Sequence, residues 1–113
     1  MHELGVIVDV VEKIERIAEE QNITEIEAIV LQIGELSSMI PKYMQSLYPA
    51  ATEGTILEHS RLEIEVIPGN GRCRNCSQIF RLIQEKGICP SCGEKDFELL
   101  SGKEFMIKEI LCY

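Results

Sequence analysis

Four of the five cysteines lie within 20 residues and form two closely spaced pairs, Cys73 with Cys76 and Cys89 with Cys92. Two thiols separated by two residues can reach one tetrahedral ion from a tight turn, and a second such pair completes a shell of four sulfurs. That shell has no open coordination position, so we expect a structural Zn(II) rather than a catalytic one. The spacing therefore predicts a zinc-stabilised ribbon.

Two other interpretations of this segment stay open. Cys89-Pro90-Ser91-Cys92-Gly93 resembles one knuckle of a rubredoxin, whose iron carries electrons, but the first pair is followed by Ser77 instead of glycine. A nucleic-acid-binding ribbon would place Arg72, Arg74 and Arg81 on phosphates, although the rest of the chain repels a polyanion. The closed four-cysteine ligand set and the net negative charge of the chain together favour a structural zinc ribbon.

The chain begins Met1-His2-Glu3, which is typical of a disordered terminus but permits a particular chemistry. The main-chain nitrogen of His2 can share a metal with its own imidazole and with a flanking nitrogen, either the Met1 amine or the Glu3 amide. These donors lie around one plane, which suits Ni(II) or Cu(II). Because histidine is large, we expect the initiator methionine to be retained. The tripeptide is therefore a candidate metal site.

The remaining reactive side chains do not combine into a catalytic site. His59 is the only other histidine, and we expect an exposed loop residue there. Cys112 is expected to be a small side chain on the last strand. Neither a nucleophile–histidine pair nor a glycine-rich phosphate loop is found, so we predict a binding protein and not an enzyme.

Composition sets broad limits on the partners. The 113 residues contain 19 acidic and 11 basic side chains, a net charge of −8, which excludes the basic footprint of an autonomous nucleic-acid binder. No apolar run approaches the ~20 residues of a membrane span. Acidic residues start at Glu3 and no signal peptide is recognised, so we expect a cytoplasmic protein without nucleic-acid or membrane partners.

Hydrophobic periodicity predicts the elements that position these residues. An amphipathic helix over residues 4–20 should bury Leu4, Ile7, Val8, Val11, Ile14 and Ala18. A buried strand is predicted over 26–33, a helix beginning at Pro41 over 41–51, an alternating strand over 61–67 with Leu62, Ile64 and Val66 on one face, and a strand over 105–111. Between the cysteine pairs, residues 79–83 are expected to pair with the segment around Ile88.

The predicted fold class is α+β: two helices on a small three-stranded mixed sheet, with the zinc ribbon inserted before the last strand. The lobe of residues 1–69 plus 101–113 would carry the N-terminal site, and residues 70–100 would form the four-cysteine lobe. Residues 1–69 hold four basic and 13 acidic side chains, a balance of −9, whereas residues 70–100 are close to neutral. An acidic lobe suits a basic protein partner.

The motifs taken in order resemble the HypA family, the nickel-insertion proteins of [NiFe]-hydrogenase maturation. Met1-His2-Glu3 opens a helix, Ile33-Gly34-Glu35-Leu36 closes the first strand, and the two cysteine pairs follow, with Leu62-Glu63-Ile64 before them and Gly102-Lys103-Glu104 after them. The resemblance extends over the whole chain. It implies a metallochaperone that binds Ni(II) through His2 and the main chain at Glu3 and holds Zn(II) at Cys73, Cys76, Cys89 and Cys92.

The same resemblance implies partners: the GTPase HypB, the hydrogenase large-subunit precursor, and in some relatives the urease maturation proteins. Two departures concern the nickel site. Some family members carry an acidic residue after the first strand, where Ser38-Met39-Ile40 offers none, and others have a histidine-containing insertion that the 12-residue spacer lacks. The fourth nickel ligand is therefore not identified. The Glu3 carboxylate is one candidate, and Glu35 is more typical of a turn or partner residue.

Overall fold

In the computed structural model, which describes residues 2–113, the chain forms two helices and six strands; the helices and the strands outside the cysteine segment follow the predicted order. They are α1 (Glu3–Glu20), β1 (Ile26–Gly34), α2 (Pro41–Thr52), β2 (Arg61–Ile67), β3 (Asn70–Cys73), β4 (Ile79–Arg81), β5 (Phe97–Ser101) and β6 (Phe105–Cys112). The strands form two three-stranded sheets, β2-β1-β6 and β4-β3-β5. This confirms the predicted fold class, in which the cysteine segment precedes the last strand of the first sheet.

Helix α1 buries one stripe, which differs from the predicted stripe at its edges. Val10 is buried, whereas Leu4 and Val8 are 48% and 38% exposed. Successive helical residues are about 100° apart, so a stripe centred on Ile7 and Val11 and widened toward Val10 leaves Val8 outside. The prediction was wrong for Leu4 and Val8 and omitted Val10, because it placed the buried stripe too far toward the side of the helix that carries Leu4 and Val8.

Glu3 belongs to the buried stripe of α1. It precedes Ile7 by four residues and Val10 by seven, which places it on the same helix face. Only 2% of its surface is exposed, although it is charged. A carboxylate in this position requires hydrogen-bond partners, because burial without them is costly.

Strands β1 and β2 run parallel. Arg61 lies 4.0 Å from Glu27 near the starts of the two strands, and the Glu35 amide donates to the Ile67 carbonyl at 2.9 Å beyond their ends. Helix α2 is the crossover between them, as a parallel pair requires. On β2 only Leu62 of the predicted apolar face is buried, and Val66 is 48% exposed, because β2 is an edge strand of its sheet.

Strand β6 runs antiparallel to β1 and makes the sheet mixed. The Gly34 amide donates to the Glu104 carbonyl at 2.7 Å, while Tyr113 lies beside Thr24 and Ile26 at the other end of the pair. Strand β1 lies between β2 and β6 and is buried along nearly its whole length. Its side chains, with those of α1 and α2, supply most of the core of this part of the chain.

The chain divides into two compact units. One comprises the residues up to Gln32 together with Ser38–Glu65 and Met106–Tyr113, and the other comprises Ile33–Ser37 and Val66–Phe105. The second unit is larger than the predicted lobe of residues 70–100. It also contains the turn after β1 and the chain on either side of the cysteine segment.

A glycine crossing explains why these extra residues belong to the second unit. A Cβ on Gly34 would collide with the Gly102 carbonyl, and a Cβ on Gly102 would lie 2.6 Å from the Gly69 Cα. Leu36 donates its amide to the Gly102 carbonyl at 2.8 Å, and its side chain lies where a Cβ on Gly69 or Gly102 would be. Three segments therefore meet closely enough to require glycine.

The second sheet positions the cysteines, and its pairing differs from the prediction. Strand β4 pairs antiparallel with β3, Gly71 opposite Phe80, and not with the segment around Ile88. The chain from residue 82 turns instead, with the Gly87 amide donating to the Leu82 carbonyl at 2.9 Å. Strand β5, which the sequence analysis did not predict, pairs with the other edge of β3.

The small core of this unit consists of Cys73, Phe80, Leu82 and Cys89, with Leu36 and Phe97 packed against it. The Phe80 and Phe97 rings meet edge to face with centroids 6.1 Å apart. Gly71 on β3 packs against this core, because a Cβ there would be 2.7 Å from Leu82 and 3.0 Å from Phe97. Two of the four buried residues are cysteines, so the core and the metal centre are one structure.

Candidate metal centres

The four cysteines of the ribbon converge on one point. Their sulfurs all lie within 4.8 Å of one another, and two pairs, Cys73 with Cys92 and Cys76 with Cys89, are 3.5 Å apart. Four sulfurs at ~2.3 Å from a tetrahedral zinc would be separated by about 3.8 Å. The donor set and its spacing fit a four-cysteine metal-binding site.

The two knuckles have the same main-chain geometry. The Ser77 amide donates to the Cys73 carbonyl and the Gly93 amide to the Cys89 carbonyl, both at 2.9 Å. Ser77 has a φ of 66° and Gly93 a φ of 79°, so each knuckle closes through a left-handed residue. Serine at this position carries a backbone cost that glycine avoids. Because Ser77 nevertheless adopts the same conformation as Gly93, the first knuckle forms without a glycine.

Each knuckle contributes one buried and one exposed sulfur. Cys73 and Cys89 are buried within the small core, and Cys76 and Cys92 are exposed. The main-chain amide of Asn75 donates to the Cys73 sulfur at 3.4 Å, and that of Cys76 does so at 3.5 Å. Backbone donors of this kind stabilise a thiolate inside an otherwise apolar core.

The two exposed thiols of the cluster, Cys76 and Cys92, have pKa values shifted in opposite directions. Hydrogen bonds from the Asn75 side chain and the Glu94 main chain lower the pKa of Cys92 to about 6. The Gln78 main chain favours the Cys76 thiolate, but desolvation and the contacts with the other sulfurs raise the pKa of Cys76 to about 12. Four thiolates cannot coexist at this distance without a cation, because like charges oppose ionisation. A bound dication removes that obstacle and displaces the protons.

The N-terminal candidate site lies at the start of α1. His2 is exposed and is the residue before the helix, with its carbonyl accepting from the Val6 amide at 3.1 Å. Glu3 is the first helical residue. The first N–H groups of a helix stand outside its i→i−4 ladder, so a metal bound to the main chain here would break no helical hydrogen bond. The Met1 amine, also predicted as a ligand, is outside the described residues.

The Glu3 carboxylate serves the fold. Its Oε2 accepts the main-chain N–H of Ile40, the residue before α2, at 3.1 Å. Main-chain hydrogen bonds, including the one from the Ile40 amide, hold the pKa of Glu3 well below its usual value. The carboxylate is therefore ionised at neutral pH and ties the start of α1 to the start of α2.

The other candidates lie elsewhere. His59, with a side chain 94% exposed, borders a cleft of about 310 Å³ with Thr24 and Tyr113. Glu35 accepts the Gly69 amide at 2.7 Å and pairs with Arg81 at 3.4 Å, as expected of a turn residue. Cys112 is an exposed residue at the end of β6.

Comparisons with known proteins decide the family. A family model described as "Hydrogenase/urease nickel incorporation, metallochaperone, hypA" matches residues 1–112. The chain belongs to the HypA family. The hydrogenase maturation factor HypA of Geobacter sulfurreducens is 38% identical over 110 residues, covering 97% of each chain. That of Trichodesmium erythraeum is 39% identical, covering 97% of this chain and 94% of the relative.

The solved structures agree on the fold. The solution structure of the Ni metallochaperone HypA from Helicobacter pylori superposes with a TM-score of 0.67 at 24% identity, covering 99% of this chain and 97% of that one. As a HypA protein, the chain is a nickel-incorporation metallochaperone of hydrogenase maturation and not an enzyme. No helix among residues 2–113 is long and apolar enough to cross a membrane.

Sequence reasoning named Glu3 as a nickel residue but missed its structural role, and it missed Asn75 altogether. The buried position of the Glu3 side chain was visible in its spacing from Ile7 and Val10. Asn75, whose side chain reaches a sulfur of the opposite knuckle, carries no sequence signal, because the residues between the two cysteines of a knuckle vary in role.

Proposed function

We propose that this HypA protein binds Ni(II) at its N-terminus through the His2 imidazole and the main chain at His2 and Glu3. With the GTPase HypB, it delivers the ion to the large-subunit precursor of [NiFe]-hydrogenase. The observation that carries the proposal is the exposed His2 at the residue before α1 in a nickel-incorporation protein. We expect this to take place in the cytoplasm, with urease maturation proteins as further partners.

The chemistry of this terminus favours a planar ion. An imidazole and neighbouring main-chain nitrogens can share one plane around Ni(II), leaving a position for an exchangeable ligand. The positive end of the α1 dipole opposes a bound cation. The ionised Glu3 carboxylate and a deprotonated main-chain amide supply negative charge that offsets this effect. Because the carboxylate is buried against Ile40, we assign Glu3 a main-chain and not a side-chain role toward nickel.

We propose Zn(II) as the structural metal of the ribbon, held by Cys73, Cys76, Cys89 and Cys92. A closed shell of four thiolates is a stabilising site, and structural zinc contributes on the order of 10–16 kcal/mol in small domains. The unit needs this contribution, because its core has four buried residues. Iron in the same shell would give a coloured, redox-active protein.

We also propose that HypB docks on the acidic part of the chain. Residues 1–69 carry a balance of −9, and most of the acidic residues of α1 lie on its exposed face. A partner with a complementary basic surface would be attracted before contact, which raises the association rate more than the affinity.

The deciding experiment is a calorimetric titration of Ni(II) into untagged wild type and His2→Ala, with metal analysis of both. We expect stoichiometric nickel binding to disappear in His2→Ala while zinc content and thermal unfolding stay unchanged, because His2 is exposed and precedes the first buried turn. Equal affinity and stoichiometry in the two proteins would mean that nickel binds elsewhere. A zinc ribbon that never takes up nickel in either protein would favour an adaptor function that binds protein or nucleic acid.

A further inference from the structure

We infer that Asn75 is a positioning residue of the four-cysteine metal centre, whose side-chain amide holds the exposed Cys92 sulfur and slows loss of the bound ion. The inference rests on the proposed metal in the ribbon and is independent of nickel delivery. It concerns a residue that supplies no metal ligand of its own.

Asn75 donates to one sulfur of each knuckle. Its main-chain N–H lies 3.4 Å from the Cys73 sulfur within its own knuckle, and its side-chain Nδ2 lies 3.6 Å from the Cys92 sulfur of the other. The same residue therefore bridges two ligands that are 19 positions apart in the chain. Groups that hydrogen-bond to metal ligands orient them and tune how tightly the ion is bound.

Hydrogen bonds anchor the main chain on both sides of Asn75, and its side chain lies against Cys92. The preceding residue, Arg74, donates its amide to the Asp96 carbonyl at 3.1 Å, and its guanidinium pairs with the Asp96 carboxylate at 3.1 Å. The following residue, Cys76, donates its amide to the Cys73 sulfur at 3.5 Å. Asn75 thus stands between two anchored neighbours.

Its acceptor is one of the two sulfurs that solvent can reach. Cys76 and Cys92 are exposed, whereas Cys73 and Cys89 are buried, so a competing chelator or an electrophile meets an exposed sulfur first. The Asn75 side-chain amide lies 3.6 Å from the Cys92 sulfur and occupies one direction of approach to it. Removing that donor should make the metal–Cys92 bond the first to open.

The second knuckle provides the matched control. Ser91 occupies the position in Cys89-Pro90-Ser91-Cys92 that Asn75 occupies in the first knuckle. Within residues 2–113 its side chain makes no hydrogen bond to a sulfur. A substitution at Ser91 therefore changes a knuckle residue of the same register without removing a donor from a ligand.

The test measures zinc release from the full-length, zinc-loaded protein to the chromogenic chelator 4-(2-pyridylazo)resorcinol, with N-ethylmaleimide present to trap opened thiols. In Asn75→Leu, which keeps the side-chain size without a donor, we expect release to be roughly three- to tenfold faster. Mass spectrometry should show Cys92 labelled first. Asn75→Gln, which retains an amide, should recover part of the wild-type rate, and Ser91→Ala should stay within about twofold of wild type.

A spectroscopic readout separates this role from a turn preference of asparagine. In the Co(II)-substituted protein, the sulfur-to-cobalt charge-transfer bands should shift in Asn75→Leu and not in Ser91→Ala. If Asn75→Leu fails to fold, Asn75→Asp replaces the donor by an acceptor in nearly the same shape and should also release zinc faster than Asn75→Gln. Equal release rates in wild type, Asn75→Leu and Asn75→Asp, or equal acceleration by Ser91→Ala, would overturn the inference.

Discussion

The buried carboxylate of Glu3 accepts the main-chain N–H of Ile40 at 3.1 Å, so the first residue of α1 is tied to the residue that precedes α2. Ile40 has an apolar side chain, 45% exposed, that cannot form a hydrogen bond, so its main-chain N–H is the group that binds the carboxylate. The same carboxylate therefore fixes the start of α2 to the start of α1, the helix that follows the proposed nickel residue His2.

Glu3→Ala should loosen both helix starts. Without its acceptor, the Ile40 amide should exchange faster with solvent, and the first turn of α2 should lose protection in hydrogen exchange followed by NMR. Glu3→Gln keeps an oxygen acceptor and should show a smaller change. Because nickel is proposed to contact only the main chain here, Glu3→Gln should still bind nickel; loss of binding in Glu3→Gln with α2 still protected would indicate a carboxylate ligand.

The glycine crossing gives a second prediction, on stability. Gly34→Ala would drive a Cβ into the Gly102 carbonyl, a backbone atom that cannot move aside. We expect a loss of about 3 kcal/mol or more in the free energy of unfolding, measured by urea denaturation. The control is Gly5→Ala within α1, where no atom lies within 4 Å of the added Cβ. That change should stabilise the protein by up to about 1 kcal/mol. Similar effects of both changes would contradict the crossing.

The four-cysteine metal centre gives a third prediction, on zinc content. Purified protein should contain one zinc per chain, and Cys89→Ser should lose it, since a hydroxyl does not replace a thiolate in the shell. Protection from hydrogen exchange should then fall across residues 70–100, whereas α1 should stay protected because it packs in the other unit. Cys112→Ser, at an exposed position on β6, should keep both zinc and protection. Retained zinc with an intact ribbon in Cys89→Ser would contradict the assignment.

The elements that could be predicted from the sequence are those with a strong local pattern of apolar residues or cysteines. The helical spacing of apolar residues over 4–20 and the nearly continuous apolar run over 26–33 identified α1 and β1, and the repeated spacing of the cysteines identified the metal centre without any structural information. These signals are local. Each needs only neighbours within one element or one turn.

The ribbon strands could not be predicted in the same way. Strand β3, Asn70-Gly71-Arg72-Cys73, has no apolar alternation, because its inward positions are a glycine packed against Leu82 and Phe97 and a cysteine of the metal centre. The apolar residues around Ile88 suggested a partner for β4, but Ile88 is 41% exposed and lies in a turn. Where a metal site takes the place of most of a hydrophobic core, the pattern of apolar residues no longer predicts which strands pair with each other.

Salt provides a fourth prediction, on partner recognition. If HypB is attracted by the acidic part of the chain, its association rate should fall as salt rises, since charges are screened over about 10 Å at 0.1 M ionic strength. Charge reversal at the exposed residues Glu12 and Glu15 of α1 should slow association more than the same change at Glu85 of the second unit. Stopped-flow measurements from 0.02 to 0.5 M salt would check this. A salt-independent rate, or a footprint confined to residues 70–100, would refute it.

The last prediction concerns the first atoms of the chain. If the Met1 amine is a nickel ligand, an N-terminal extension converts it into an amide, removes its basic lone pair, and should weaken Ni(II) binding strongly. If the planar set uses the Glu3 amide instead, an extension should act mainly by crowding, and a short flexible tag should leave most of the affinity. Calorimetric titration of nickel into untagged protein, tagged protein and tagged protein from which the tag has been cleaved distinguishes the two sets.

Zinc content serves as the control in all three samples, because the cysteines lie in the other compact unit and should be unaffected by the tag. Acidification should release nickel in each sample, as protons compete for the imidazole and main-chain nitrogens. A cleaved protein that retains extra residues before Met1 should behave like the tagged protein if the amine is a ligand, and like wild type if the amide is. Identical nickel binding in every sample, together with undiminished binding in His2→Ala, would exclude the N-terminus as the nickel site.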